Sequence, residues 1–174
     1  MNLASIAVTR RHVNLLCALG CAAMMGFALF AQYGLHLQPC NMCILQRIAV
    51  VALGLACLVA AAHDPGRSGA RVYALGIAVV ALATIATAAR HIWMTLQPPG
   101  SLPSCGADFY TMVEMLPLTT VVAKIWNGGG ECQIVQWRLL GLSMQTWVLI
   151  GGLGVGTLAV GGNLALARVR DAVR

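Results

Sequence analysis

The chain has 174 residues, 59% of them hydrophobic and only 9% charged, with a mean hydropathy of +0.81. A soluble domain of this length cannot hide that much apolar surface, so the sequence belongs in a bilayer. The formal charge of +6 comes from scattered basic residues without interleaved aromatics, which speaks against nucleic-acid binding and for a part in membrane orientation.

Four apolar runs are long enough to cross a membrane, at about 13–34, 42–62, 72–93 and 146–167. Arg10 and Arg11 precede the first, as in an export signal, but the run is long and no small-residue cleavage site closes it. An uncleaved first helix is expected, with Asn14 solvated at its edge. The second run stops at the breaker cluster His63-Asp64-Pro65-Gly66, and the third before Pro98-Pro99-Gly100. The fourth is followed by Arg168, Arg170 and Arg174. Loops at about 35–41 and 94–145 join the spans, so the chain reads as one domain over 1–174, an all-α four-helix membrane bundle with one long loop. Within that loop, the apolar stretch from Met112 to Trp126 predicts a short interfacial helix.

Lys and Arg near the span ends set the expected orientation. Arg10, Arg11, Arg67, Arg71, Arg168, Arg170 and Arg174 fall on one side, against Arg47, Arg90, Lys124 and Arg138 on the other. Both termini then lie in the cytoplasm and the long loop outside. Trp93, Trp126, Trp137 and Trp147 share that outer end, as an interfacial belt requires. Gly152 and Gly156 form a small-x-x-x-small pair, which indicates helix packing and little more.

The chemistry concentrates in Gln38-Pro39-Cys40-Asn41-Met42-Cys43-Ile44-Leu45-Gln46-Arg47. A helix starting here puts Cys43 and Arg47 one turn apart on one face. Both cysteines sit near its N-terminus, where the dipole and the unpaired N–H groups favour thiolate, the nucleophile of disulfide exchange. A Cys-x-x-Cys alone fits a redox pair or half a zinc site. Zinc needs about four ligands, though, and the sequence has no second such pair, with only His36 of its four histidines within ten residues. No metal site is expected.

Of the seven cysteines, Cys17, Cys21 and Cys57 fall inside spans, where they read as small apolar packers. Cys105 and Cys132 lie in the long outer loop, where disulfides persist. Pro98-Pro99-Gly100, Pro103 and Gly128-Gly129-Gly130 flank them and point to a mobile loop rather than a plain staple. Potentials separate the two roles. A structural disulfide near −300 mV would oxidise a carrier near −120 mV only at a cost of about 8 kcal/mol. Exchange therefore calls for oxidising pairs and a stronger final acceptor, most simply a lipid-soluble quinone.

Together with His91, Leu116-Pro117-Leu118, Glu131-Cys132, Gln136-Trp137 and the run from Leu140 to Trp147, the Cys-x-x-Cys-x-x-x-Arg pattern resembles the DsbB family over nearly the whole chain. The resemblance implies a multi-pass protein of the bacterial inner membrane, a thiol:quinone oxidoreductase. It would reoxidise a DsbA-like soluble periplasmic thiol oxidase and pass electrons to ubiquinone, or else menaquinone, in the membrane pool. It implies disulfides Cys40–Cys43 and Cys105–Cys132, with Cys105 attacked by the partner, Cys132 released to exchange with Cys40, and Cys43 beside the quinone ring. Arg47 would stabilise that thiolate and polarise a quinone carbonyl, with His91, Met144 and Trp147 lining the quinone pocket. Gln46 is uncharged where the family also has an acidic residue, so Arg47 is expected to be freer for Cys43 or quinone. Two alternatives remain. One is a DsbI-like paralogue with a dedicated partner; the other is non-enzymatic, a disulfide-stapled membrane scaffold or a metal-handling protein. The vitamin K epoxide reductase pattern is disfavoured, because there the loop cysteines precede the Cys-x-x-Cys.

Overall fold

The computed structural model describes residues 9–172, with side chains to residue 165. Arg174, and the side chains of Arg168 and Arg170, thus lie outside the described residues. Four long helices, α1 (Arg10–Tyr33), α2 (Asn41–His63), α3 (Arg67–Thr95) and α6 (Met144–Ala172), form the bundle. Two short helices, α4 (Phe109–Met115) and α5 (Leu118–Asn127), lie between α3 and α6. A 3-10 turn (Gly130–Gln133) and a two-stranded hairpin, β1 (Arg138–Leu139) and β2 (Leu142–Ser143), complete that segment.

The long helices neighbour one another in the cyclic order α1, α2, α3, α6, with α6 closing against α1. All four are long and apolar enough to cross a bilayer. Their outward faces are apolar too: Leu16, Leu75, Leu82 and Leu158 are 64–68% exposed, which suits lipid and not water. The protein is a multi-pass membrane bundle.

Local chemistry sets the helix ends. Thr9 and His12 cap the start of α1 reciprocally. Asp64 takes a left-handed conformation to end α2, and Pro65 and Gly66 turn the chain straight into α3. Arg10, only 5% exposed, donates to the Pro65 carbonyl and pairs with Asp64 at 3.3 Å, tying the start of α1 to that turn. Small residues let the helices close up. A Cβ on Gly54 would lie 2.9 Å from the Cys21 Cβ, and one on Gly156 2.8 Å from the Ala81 Cβ. Gly152 and Gly156 therefore both face α3. Cys17, Cys21 and Cys57 are buried among these contacts.

Two expectations are corrected. Asn14 is not solvated: at 1% exposure it exchanges hydrogen bonds with Asn163 of α6, at 3.2 and 2.9 Å. An amide that far inside an apolar bundle needs a partner, and only another helix can supply one. The interfacial segment forms two helices rather than one. Pro117 forces Leu116 into extended backbone, which stops α4 and lets α5 restart at Leu118. The buried face of α5, Val121 and Ile125, packs with Met112, Met42 and Met94 over one end of the bundle. Arg90 secures α5 from below, donating to the Trp126 carbonyl at 2.8 and 3.0 Å while its guanidinium stacks 4.0 Å over Trp93.

The Asn14–Asn163 pair supports a direct test. Asn14→Leu strands the Asn163 amide and should lower the Tm in detergent, by an amount equivalent to about 1–3 kcal/mol. The Asn14→Leu/Asn163→Leu double variant should recover part of that loss. Losses that simply add would show that the two amides do not interact.

Candidate active site

Cys40 is the N-cap of α2, and Cys43 and Arg47 follow on its first two turns. Pro39 ahead of it and extended backbone at Cys40 start the helix here. The two sulfurs lie 3.3 Å apart. His91, 3% exposed on α3, brings its Nε2 to 3.6 Å from the Cys40 sulfur. Its Nδ1 lies 3.3 Å from the Gln46 Oε1, so the amide accepts Nδ1–H and leaves Nε2 facing sulfur.

The 3-10 turn delivers Cys132 into this group, near enough to Cys40, His91 and the Met42 backbone to interact with them. The triple glycine before it has a packing role beyond flexibility. Gly129 has φ +133°, and a Cβ there would lie 2.8 Å from the Met94 sulfur. Gly128 likewise lets the Cys105 sulfur approach, 3.0 Å from where a Cβ would stand. Cys105 and Cys132 are both buried in the cluster beneath α5. Glu131 links the two arms of the loop, its carboxylate accepting from the Ser104 hydroxyl and, at 3.4 Å, from the Cys105 backbone N–H. Asn41 donates to the Ala107 carbonyl at 2.9 Å and pins the Cys105 arm to the start of α2.

All seven cysteines are free thiols here. Neither Cys40–Cys43 nor Cys105–Cys132 is bonded, since a disulfide needs sulfurs about 2.05 Å apart. The thiols differ in their hold on the proton. Cys132 is pushed down to about 5, chiefly by the hydrogen bond from Cys40 and against the opposing effect of burial, with His91 assisting. Cys40 is pushed far up, because it donates to Cys132 and Cys43 and is buried beside them. That corrects the expectation of a thiolate at Cys40: its proton serves its neighbours. Burial pushes Cys105 up.

A cavity of about 540 Å³ opens beside the sulfurs, lined among others by Cys43, Arg47, His91, Met144 and Trp147. Trp147, on the first turn of α6, donates to the Leu139 carbonyl at 3.3 Å, so the hairpin braces that wall. Phe27 and Trp137 form another wall, their rings 5.0 Å apart. Arg47 is held by neutral groups, with no carboxylate among the partners found for it in the described residues. Its guanidinium donates to the Gln32 side chain and, at 3.0 Å, to the Ala28 carbonyl of α1. It still borders the cavity. The Gln46 Nε2 is buried without a partner, an idle donor on the same wall.

The fold thus brings Cys40, Cys43, Cys132 and His91 together and sets Arg47, Met144 and Trp147 around one cavity. Cys105 stays apart from that cavity. Gln46 as the holder of His91, Gln32 as the partner of Arg47 and Glu131 as a bridge were not expected. Gln32 and Arg47 are fifteen residues apart on different helices, and no spacing signals that pairing.

The chain is similar to known proteins over most of its length. Residues 10–161 match the family model described as Disulfide bond formation protein DsbB. A Disulfide bond formation protein B from Chromobacterium violaceum is 42% identical over 85% of this chain and 89% of its own length. One from Aromatoleum aromaticum is 45% identical over 75% of this chain and 78% of its own, and one from Methylococcus capsulatus 42% identical over 86% and 92%. With a Cys-x-x-Cys opening a membrane helix, two further cysteines buried in the cluster beside it and relatives of this similarity over most of its length, the chain belongs to the DsbB family of disulfide bond formation proteins.

Proposed function

We propose that this protein reoxidises a DsbA-like periplasmic thiol oxidase and delivers the electrons to ubiquinone in the bacterial inner membrane, with both termini cytoplasmic and the four outer cysteines periplasmic. The observation that carries the reading is the contact of Cys132 with Cys40 at the mouth of the cavity bordered by Cys43. It joins a loop cysteine to the membrane pair without a large movement.

The exchange begins with the loop as a Cys105–Cys132 disulfide and the helix pair as Cys40–Cys43. A partner thiolate attacks Cys105, and the sulfur–sulfur bond breaks with Cys132 leaving as thiolate. While Cys40 is held in its disulfide it has no proton to donate, so His91 is the neighbour left to favour Cys132 as the leaving thiolate. The Cys132 thiolate attacks Cys40, forming Cys40–Cys132 and releasing Cys43 as thiolate. The partner's second thiol displaces Cys105, which then attacks Cys132, restores the loop disulfide and leaves Cys40 reduced. Two electrons have moved from the partner dithiol into the helix pair.

The residues around the cavity fit a quinone ring. Its walls are largely apolar, Arg47 supplies positive charge, and the unpartnered Gln46 Nε2 is a donor for a carbonyl oxygen. A quinone bound there would supply the two-electron acceptor. Arg47 holds negative charge beside Cys43, Met144 and Trp147 exclude water, and His91 with Cys40 manages a proton next to the reacting sulfurs.

The reading is tested with purified protein, reduced DsbA-like partner and a water-soluble ubiquinone. Quinone absorbance should fall only when the partner is present. Cys43→Ser and Cys132→Ser should abolish the signal, and Cys57→Ser should leave it unchanged. Arg47→Ala should slow it about 10- to 100-fold, the worth of a charged hydrogen bond of about 1.5–3 kcal/mol. Full turnover by Cys43→Ser would refute the proposal.

The low affinity of Cys132 for its proton gives a second test. A depressed group stays ionised above its folded value and is neutralised as the pH falls through it. In reduced protein, alkylation of Cys132 should therefore hold its rate down to about pH 5 and fall below that. Cys40→Ala removes the main donor and should move the midpoint up toward the ordinary thiol range near 8.5. A midpoint near 8.5 in the unsubstituted protein would contradict the assignment.

A further inference from the structure

We propose that the fully reduced protein binds one Zn²⁺ at Cys40, Cys43, His91 and Cys132, a metal-capped state that holds the exchange chemistry closed. The donor atoms of Cys40, Cys43 and His91 all lie within 4.8 Å of one another. Cys132 is near enough to interact with two of them, Cys40 and His91. Three thiols and an imidazole make a Cys₃His set, one of the recurrent ligand sets for closed zinc sites.

The spacings agree with that ion. With Zn–S near 2.3 Å and Zn–N near 2.0 Å, a tetrahedral centre holds two sulfurs about 3.8 Å apart and sulfur and nitrogen about 3.5 Å apart. Here the Cys40 and Cys43 sulfurs are 3.3 Å apart, and Cys40 and the His91 Nε2 3.6 Å. For Cys40, Cys43 and His91, closing on a metal needs shifts of about half an ångström, whereas Cys132 stands outside that trio and must move further to complete the set. The imidazole is already oriented: the Gln46 amide takes Nδ1–H and leaves Nε2 as the free ligand, the outer contact that metal-bound histidines commonly make. Three thiolates against a dication leave one negative charge, and the Arg47 guanidinium borders the same cavity as Cys43. The thiol protons go to solvent, the imidazole enters neutral, and no electrons move.

Such a site exists only when both cysteine pairs are reduced, because either disulfide removes ligands. That condition arises when thiols arrive faster than an acceptor removes electrons. Metal binding then withdraws the nucleophile Cys132 and both helix cysteines at once. The inference goes beyond the function proposed above and does not depend on which acceptor the protein uses.

The test uses full-length protein in detergent, anaerobic, prepared reduced or oxidised, with Co²⁺ as a spectroscopic probe and Zn²⁺ as competitor. Reduced protein should bind one Co²⁺ with the visible bands of tetrahedral thiolate coordination, and Zn²⁺ should displace it. X-ray absorption of the zinc form should show three sulfurs and one nitrogen. Oxidised protein should bind none, although Cys17, Cys21 and Cys57 remain thiols in it, so that comparison needs no substitution and no refolding. His91→Ala should remove the nitrogen ligand, and Gln46→Ala should weaken affinity about 10- to 100-fold. Equal binding by oxidised protein, no stoichiometric binding by reduced protein, or a site unchanged in His91→Ala would each overturn the proposal. The readout is the metal itself, so a failed quinone assay leaves this result intact.

Discussion

The contact of Cys132 with Cys40 and His91 organises this molecule. It sets a loop sulfur against the N-terminus of a membrane helix, and most of the unusual features near that end serve to hold it there. The triple glycine admits the 3-10 turn past Met94 and Cys105. The buried face of α5 roofs the cluster, and Arg90 fastens α5 to α3. Glu131 couples the Cys105 arm to the turn that carries Cys132. Burial makes each thiol sensitive to its neighbours, because a hydrogen bond in a site of low polarity decides which sulfur keeps a proton.

The bundle beneath supplies rigidity. Close glycine contacts and the Asn14–Asn163 pair hold α6 against α1 and α3 at depth, while Arg10 closes the far end through Asp64 and Pro65. That fixes the distance between α2 and α3, on which the His91-to-Cys40 approach depends. The cavity lies between this frame and the hairpin, with Trp147 tied to Leu139. A rigid floor under a cysteine-bearing loop is the division of labour that the proposed thiol exchange would require.

Much of this could be read along the chain because bilayer length and hydropathy leave few options: the four spans and the Cys-x-x-Cys at the mouth of α2 follow from apolar runs and one proline. Arg47 one turn beyond Cys43 follows from helix periodicity. Contacts between helices could not be read in the same way. Asn14 looks like an edge residue until Asn163 is placed opposite it, 149 positions later. His91 sits far from the Cys-x-x-Cys in sequence, and no spacing along the chain places its ring 3.6 Å from the Cys40 sulfur. Gln46 drew notice only as a neighbour of Arg47, yet on the helix it turns toward His91, while Arg47 turns to α1. Pro117 was visible, but its effect on an apolar run was outweighed by the run itself, and one helix was expected where the residue before proline imposes a break.

The proposed function depends most on Cys132 resting against Cys40, where a bond between them would carry electrons inward. Mapping disulfides by mass spectrometry in a Cys43→Ser/Cys105→Ser variant, isolated from aerobically grown cells without added oxidant, tests it most directly. With the usual partner of each cysteine removed, the account predicts a spontaneous Cys40–Cys132 disulfide in most of the protein. Two free thiols, or Cys132 bonded elsewhere, would contradict it.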